Sequence, residues 1–182
     1  MSVEEGIGFK DYYWGPRFDL SDTEISGKVT RVLNLHGGLH LYRKSGATYK
    51  RKRQPGENLL EQFTSIFDEG GIPLFVSEGS SADKLAAIER NDYLSFAYSE
   101  FARDHRPLVV FGHSLEDEHV RVGMAGRPWE TRAVAISVEP GGPDDVIARK
   151  MTFHQLLPQA RLLFFDASTH PLGADGLRVQ QS

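Results

Sequence analysis

A chain of 182 residues without a cysteine has room for one domain with a real core. It excludes a disulfide frame, a thiolate nucleophile and a cysteine-based zinc site. A net charge of −4 gives no bulk attraction for nucleic acid or an anionic membrane surface, and no apolar run is long enough to span a bilayer.

Hydrophobic residues make up 40% and charged residues 25%, the balance of a soluble globular protein. The acidic start MSVEEGIGF does not read as a signal peptide, so the expected location is the cytoplasm. Residues 1–28 carry Phe9, Tyr12, Tyr13, Trp14 and Phe18 without a clear period. They read as a segment packed against the domain face, with ligand stacking as the alternative.

Val29–Leu35 is a predicted strand that runs into His36-Gly37-Gly38 and then His40. In an open α/β sheet, ligands collect just past the carboxyl ends of strands. Two glycines there let backbone and imidazole approach one small molecule together. His40-Leu41-Tyr42 continues as a short strand pairing near Tyr49. Lys50-Arg51-Lys52-Arg53 reads as a solvated loop, with phosphate contact as the alternative.

Asn58–Asp68 places Leu59, Leu60, Phe63, Ile66 and Phe67 on one helical face, and Gly70-Gly71 ends it. Ile72–Val76 is a short apolar strand. Ser80 and Ser81 can cap the next helix, with Asp83 in its first turn. Tyr93, Phe96, Ala97 and Phe101 form a second helical stripe. Leu108–Phe111 is a buried strand, and a helix follows near Glu116–Met124. Ala133–Val138 is the next strand, then a helix from Asp144 to about Leu157, where Pro158 breaks it. Arg161–Phe165 is the last strand, and 174–182 is a frayed tail.

Short apolar strands alternating with helices imply a three-layer α/β/α domain over residues 29–173, with a mostly parallel sheet and a Rossmann-like style of winding. Two strand ends carry candidate chemistry, Leu35-His36-Gly37-Gly38 and Phe111-Gly112-His113-Ser114-Leu115. A serine hydrolase reading takes His36-Gly37-Gly38 as an oxyanion loop and Ser114 as nucleophile. Asp144, Asp145, His154 and His170 would be its downstream partners. Against it, Glu116 stands two positions after Ser114, where a sharp elbow needs a small residue. A metal reading takes His36 and His40 with Glu78, Asp117 or His119, but the intervening glycines favour a loop over a helix. Read without either, His113 orients its loop, Glu116–His119 is an acidic first helical turn, and Asp166 binds a ligand or starts a turn.

Quoted as they stand, NLHGGLHLY, PLFVSEGSSADKLAAIERNDYLSFAY, LVVFGHSLEDEHV and LLFFDASTHPLG resemble the C-terminal portion of a bacterial sirtuin-like family of uncharacterised proteins. The resemblance covers residues 29–173 and implies binding of NAD or a related nucleotide. His36 matches the catalytic histidine of the family's HG motif and would act as base on a ribose hydroxyl during loss of nicotinamide. Gly37, Gly112, His113, Ser114 and Leu115 match positions that contact the cofactor, and no metal is implied.

The family's Gly-rich phosphate loop and its Asn-containing segment find no counterpart here, and its zinc cysteines are absent. The expectation is therefore little NAD hydrolysis by this chain alone, with a second copy or a partner chain supplying an N-terminal half. The competing expectation is a non-catalytic remnant that binds a partner.

Overall fold

A computed structural model describes residues 8–24, 29–52, 56, 58, 61–124 and 133–171. Arg53, Leu59, Leu60 and the tail 174–182 lie outside the described residues. The chain divides into two compact units, Met1–Phe101 and Ala102–Ser182.

In the N-terminal unit, β1 (Gly8–Lys10) pairs in parallel with β2 (Val29–Arg31). A separate antiparallel sheet has the order β4-β3-β5, formed by β3 (Gly37–Lys44), β4 (Ala47–Lys50) and β5 (Ile72–Phe75). Lys44 opposes Ala47 across a two-residue turn, Ser45-Gly46, whose φ angles of 51° and 77° are both left-handed. That is the backbone a tight hairpin requires, because it matches the twist of the strands. The strand expected at His40–Tyr42 pairs near Tyr49, and the register sets Tyr42 opposite Tyr49 with ring centroids 5.4 Å apart.

Helix α1 (Glu61–Asp68) buries Phe63 and Ile66 and closes when the Gly70 and Gly71 amides donate to Phe67 O and Ile66 O. Helix α2 (Ser81–Glu89) starts with a reciprocal cap between Ser80 and Asp83. Helix α3 (Asp92–Arg103) starts where Asn91 Oδ1 accepts the Leu94 amide at 2.9 Å. Tyr13, Phe18, Leu41, Leu74, Ile88, Tyr93, Leu94 and Ala97 form one core. Tyr13, Phe18 and Tyr93 meet edge-on or tilted at 5.4–5.7 Å, so Tyr13 and Phe18 of the aromatic N-terminal segment belong to this core, while Trp14 stays exposed.

In the C-terminal unit, β6 (Leu108–Val110), β7 (Ala133–Val138) and β8 (Arg161–Asp166) form a parallel sheet in that order. Helices α4 (Glu118–Met124) and α5 (Pro143–Leu156) supply the connections among the described residues. Alternate residues of β7, Val134, Ile136 and Val138, are buried, the period of a strand with unlike faces.

The architecture is mixed α/β, with a parallel strand pair, a three-stranded parallel sheet and a three-stranded antiparallel one, and two expectations are corrected. The strand expected over Val29–Leu35 stops at Arg31, and the chain turns where the Gly37 amide donates to Asn34 O at 3.1 Å. The strand at Ile72 runs antiparallel to β3 rather than joining a parallel set. Pro73 has no amide to donate, which suits an edge position, and only Leu74 of that strand is buried.

Candidate functional site

Two surfaces carry the chemistry, one in each unit. The first is the loop that leaves the carboxyl end of β6. Gly112 has φ +66°, and its amide donates to Ser137 Oγ of β7 at 3.1 Å. His113 Nδ1 accepts the Leu115 amide at 2.8 Å, so its neutral form carries the proton on Nε2. Ser114 Oγ accepts the Glu116 amide at 3.4 Å, and the hydroxyl is exposed. Leu115 is buried and left-handed at φ +60°, an uncommon conformation for a residue with a side chain. From α4, Arg121 donates to Leu115 O and to Glu116 O, the latter at 2.6 Å. The loop is thereby fixed by its own side chains and two neighbours, with Gly112, His113 and Ser114 turned to solvent.

The left-handed residues flank Ser114 but do not include it, and Glu116 remains two positions on. The strained nucleophile turn of a serine hydrolase is therefore not formed. His154 lies edge-on to the Phe164 ring at 5.5 Å, and His170 stacks obliquely against Phe111 at 4.9 Å and Phe165 at 5.9 Å. Asp166 accepts from the Ser168 amide and hydroxyl, which starts a turn over Ala167–Thr169 and holds its carboxyl below the usual carboxylate range. A cavity of about 130 Å³ opens beside the ends of β7 and β8, lined by Val138, Glu139, Lys150, Phe165 and Asp166 among others. Another, of about 240 Å³, lies between α4 and Leu156–Gln159; its Arg121 is already committed to the loop carbonyls.

His36 lies in the N-terminal unit on the turn that opens β3, half-buried, and its carbonyl accepts the Val76 amide at 2.8 Å. Gly37 has φ +83°, and a Cβ there would lie 2.0 Å from Leu74 O. The glycine after the histidine is thus required by the close approach of β5. Among the described residues no group of three or more His, Asp or Glu could hold a metal, so His36 and His40 find no third ligand there.

The second surface was not anticipated as a unit. A cavity of about 480 Å³ is lined by Lys10, Asp11, Trp14, Val32, Asn34, His40, Lys50 and Lys52. Lys50 is 4% exposed, and its ammonium donates to both Asp11 carboxylate oxygens, at 2.7 and 2.8 Å, and to Tyr13 O. It also sits 3.9 Å from the Tyr13 ring centroid. Lys10, 9% exposed, donates to the same Tyr13 carbonyl and lies 3.9 Å from the centre of the Trp14 ring. Burial lowers the Lys50 pKa; Asp11 opposes the shift, and Lys10 and Lys52 add to it. Burial also lowers the pKa of His40, with Asp11 again opposing and Lys50 assisting. The Tyr13 phenol is pushed far up by burial and then by Asp11, and its buried hydroxyl has no hydrogen-bond partner among the described residues.

Strand parity was the signal for this pocket. Lys50 stands two residues after buried Thr48 on β4, which puts both on one face of the strand. A basic run that begins inside a strand is not wholly a solvated loop.

A family model described as a domain of unknown function (DUF4917) matches residues 8–172. The chain belongs to this family. The DUF4917 match takes in both surfaces, from β1 with Lys10 to the turn after β8. No curated protein and no solved structure matches the chain. No helix among the described residues is long and apolar enough to cross a membrane.

Proposed function

We propose that this chain binds NAD or a related nucleotide through the Gly112–Leu115 loop, in the manner of a sirtuin-like domain. The observation that carries the reading is a preorganised, solvent-facing glycine turn at the carboxyl end of a parallel strand, the place where open α/β sheets hold ligands. The parallel β6-β7-β8 sheet with its helical connections supports reading this unit as part of a three-layer, Rossmann-like sheet. Gly112 lets a ligand approach backbone without meeting a side chain, and no atom lies within 4 Å of where its Cβ would be. Ser114 offers a hydroxyl and His113 an Nε2 proton beside that opening.

Isothermal titration of the full chain with NAD and with ADP-ribose tests the binding. The expected result is saturable heat that weakens by about tenfold or more in Gly112→Val, where a branched side chain meets a left-handed backbone. No heat at millimolar ligand would overturn the reading in favour of a non-catalytic, partner-binding module.

A further inference from the structure

We propose that the lysine-lined cavity of the N-terminal unit is a binding site for the phosphate group of a small phosphomonoester. The inference does not rest on the NAD reading. Among the described residues, three lysines, Lys10, Lys50 and Lys52, line the cavity against one carboxylate, Asp11. Asp22, a carboxylate that feels both Lys10 and Lys50, is spent on the Trp14 and Gly15 amides at 2.7 and 3.1 Å, and counting it still leaves the described lining positive. Two of the lysines are nine-tenths buried or more, and buried cations need an anion to offset their lost hydration.

The donors divide into two kinds. Lys50 has all three N–H groups engaged by Asp11 and Tyr13 O, so it holds the Asp11–Tyr13 segment in place. Lys10 has one firm acceptor, Tyr13 O; its approach to Asp11 Oδ1, at 3.6 Å, is too long for a hydrogen bond. Its remaining N–H groups therefore have no acceptor among the described residues, although the ammonium is nearly buried at the cavity. Lys52 is exposed on the rim, and His40 is a half-buried further donor when protonated. A phosphomonoester dianion matches this excess of positive charge and the several point-charge donors converging on it. Trp14, 55% exposed, and Val32 supply an apolar wall for the organic part.

Trp14 is also the reporter. In a Trp129→Phe background it is the sole tryptophan of the two in the chain. Its emission is followed during titration with inorganic phosphate, with ribose 5-phosphate, and with sodium chloride at matched ionic strength. The expected result is a saturable change with both phosphates and none with chloride. Lys10→Gln should weaken it by about tenfold or more, the effect of one lost charge-assisted hydrogen bond. Lys52→Gln, at an exposed rim position, should weaken it by a smaller factor and keeps the test decisive if Lys10→Gln fails to fold. No saturable change, a response shared with chloride, or unaltered affinity in folded Lys10→Gln or Lys52→Gln overturns the proposal. A response to inorganic phosphate alone overturns the phosphomonoester assignment. Gly112→Val, which tests the NAD reading, is expected to leave this titration unchanged.

Discussion

The Gly112–Asp117 loop and the lysine cavity are built in opposite ways. The loop is a contiguous stretch pinned by short-range bonds, His113 to Leu115 and Ser114 to Glu116, with Ser137 and Arg121 as outside supports. The cavity depends on strand register, because Lys50 must reach across to Asp11, thirty-nine residues away, from the buried face of β4. A local loop can be altered with little loss of the fold around it. A surface assembled from distant strands fails when the register fails.

Gly37→Ala is expected to separate the two most strongly. Its Cβ would meet Leu74 O at 2.0 Å on a left-handed backbone, and a loss of about 3 kcal/mol or more should follow. Urea unfolding and the Trp14 titration read it. Near-wild-type behaviour would mean that β5 does not approach β3 this closely.

Thr48→Val should cost about 1–3 kcal/mol, because it leaves the buried Asn91 amide without its partner. The Thr48 hydroxyl donates to Asp92 and accepts from Asn91 Nδ2 at 2.9 Å, tying β4 to the start of α3. Ser137→Ala removes the acceptor of the Gly112 amide and should cost only about 0.5–1.5 kcal/mol, because the exposed amide can turn to water. A larger loss than that of Thr48→Val would reverse the contrast between the two surfaces.

Tyr13→Phe is expected to leave stability unchanged or raise it by up to about 1 kcal/mol, since it deletes a buried hydroxyl that has no partner among the described residues. Thermal unfolding checks this, and a clear loss would show that the hydroxyl is bonded. His40 gives a smaller, pH-dependent effect. Its pKa is lowered by burial in the folded chain, so the unfolded chain binds more protons below the ordinary histidine range. Stability should therefore be complete above that range and fall as the solution is acidified through it. Urea midpoints across that window should flatten in His40→Gln, and an unchanged slope would contradict the assignment.

The parallel strands were legible because each is an apolar run of strand length. Ala133–Val138 has the same bounds in the structure, and Arg161–Phe165 extends by Asp166. The Ser80 cap, the Gly70-Gly71 stop and the pairing of His40–Tyr42 near Tyr49 were also legible, since each depends on residues near in sequence. Apolar content did not reveal the direction of β5 or the end of β2. Ile72 and Phe75 are apolar yet exposed, and Val32 is 38% exposed where a buried strand was expected. The motif loop could be named residue by residue because it is contiguous. The lysine cavity could not, because Lys10 and Lys50 read separately as ordinary charges and only their shared carbonyl, Tyr13 O, unites them.

The measurement closest to the central claim is amide chemical-shift mapping of the full chain with ADP-ribose. Saturable shifts are expected at Gly112, Ser114 and Leu115, and at Ser137, whose side-chain Oγ accepts the Gly112 amide. Shifts confined to the residues around Lys10 and Lys50, or no shifts at millimolar ligand, would contradict that claim.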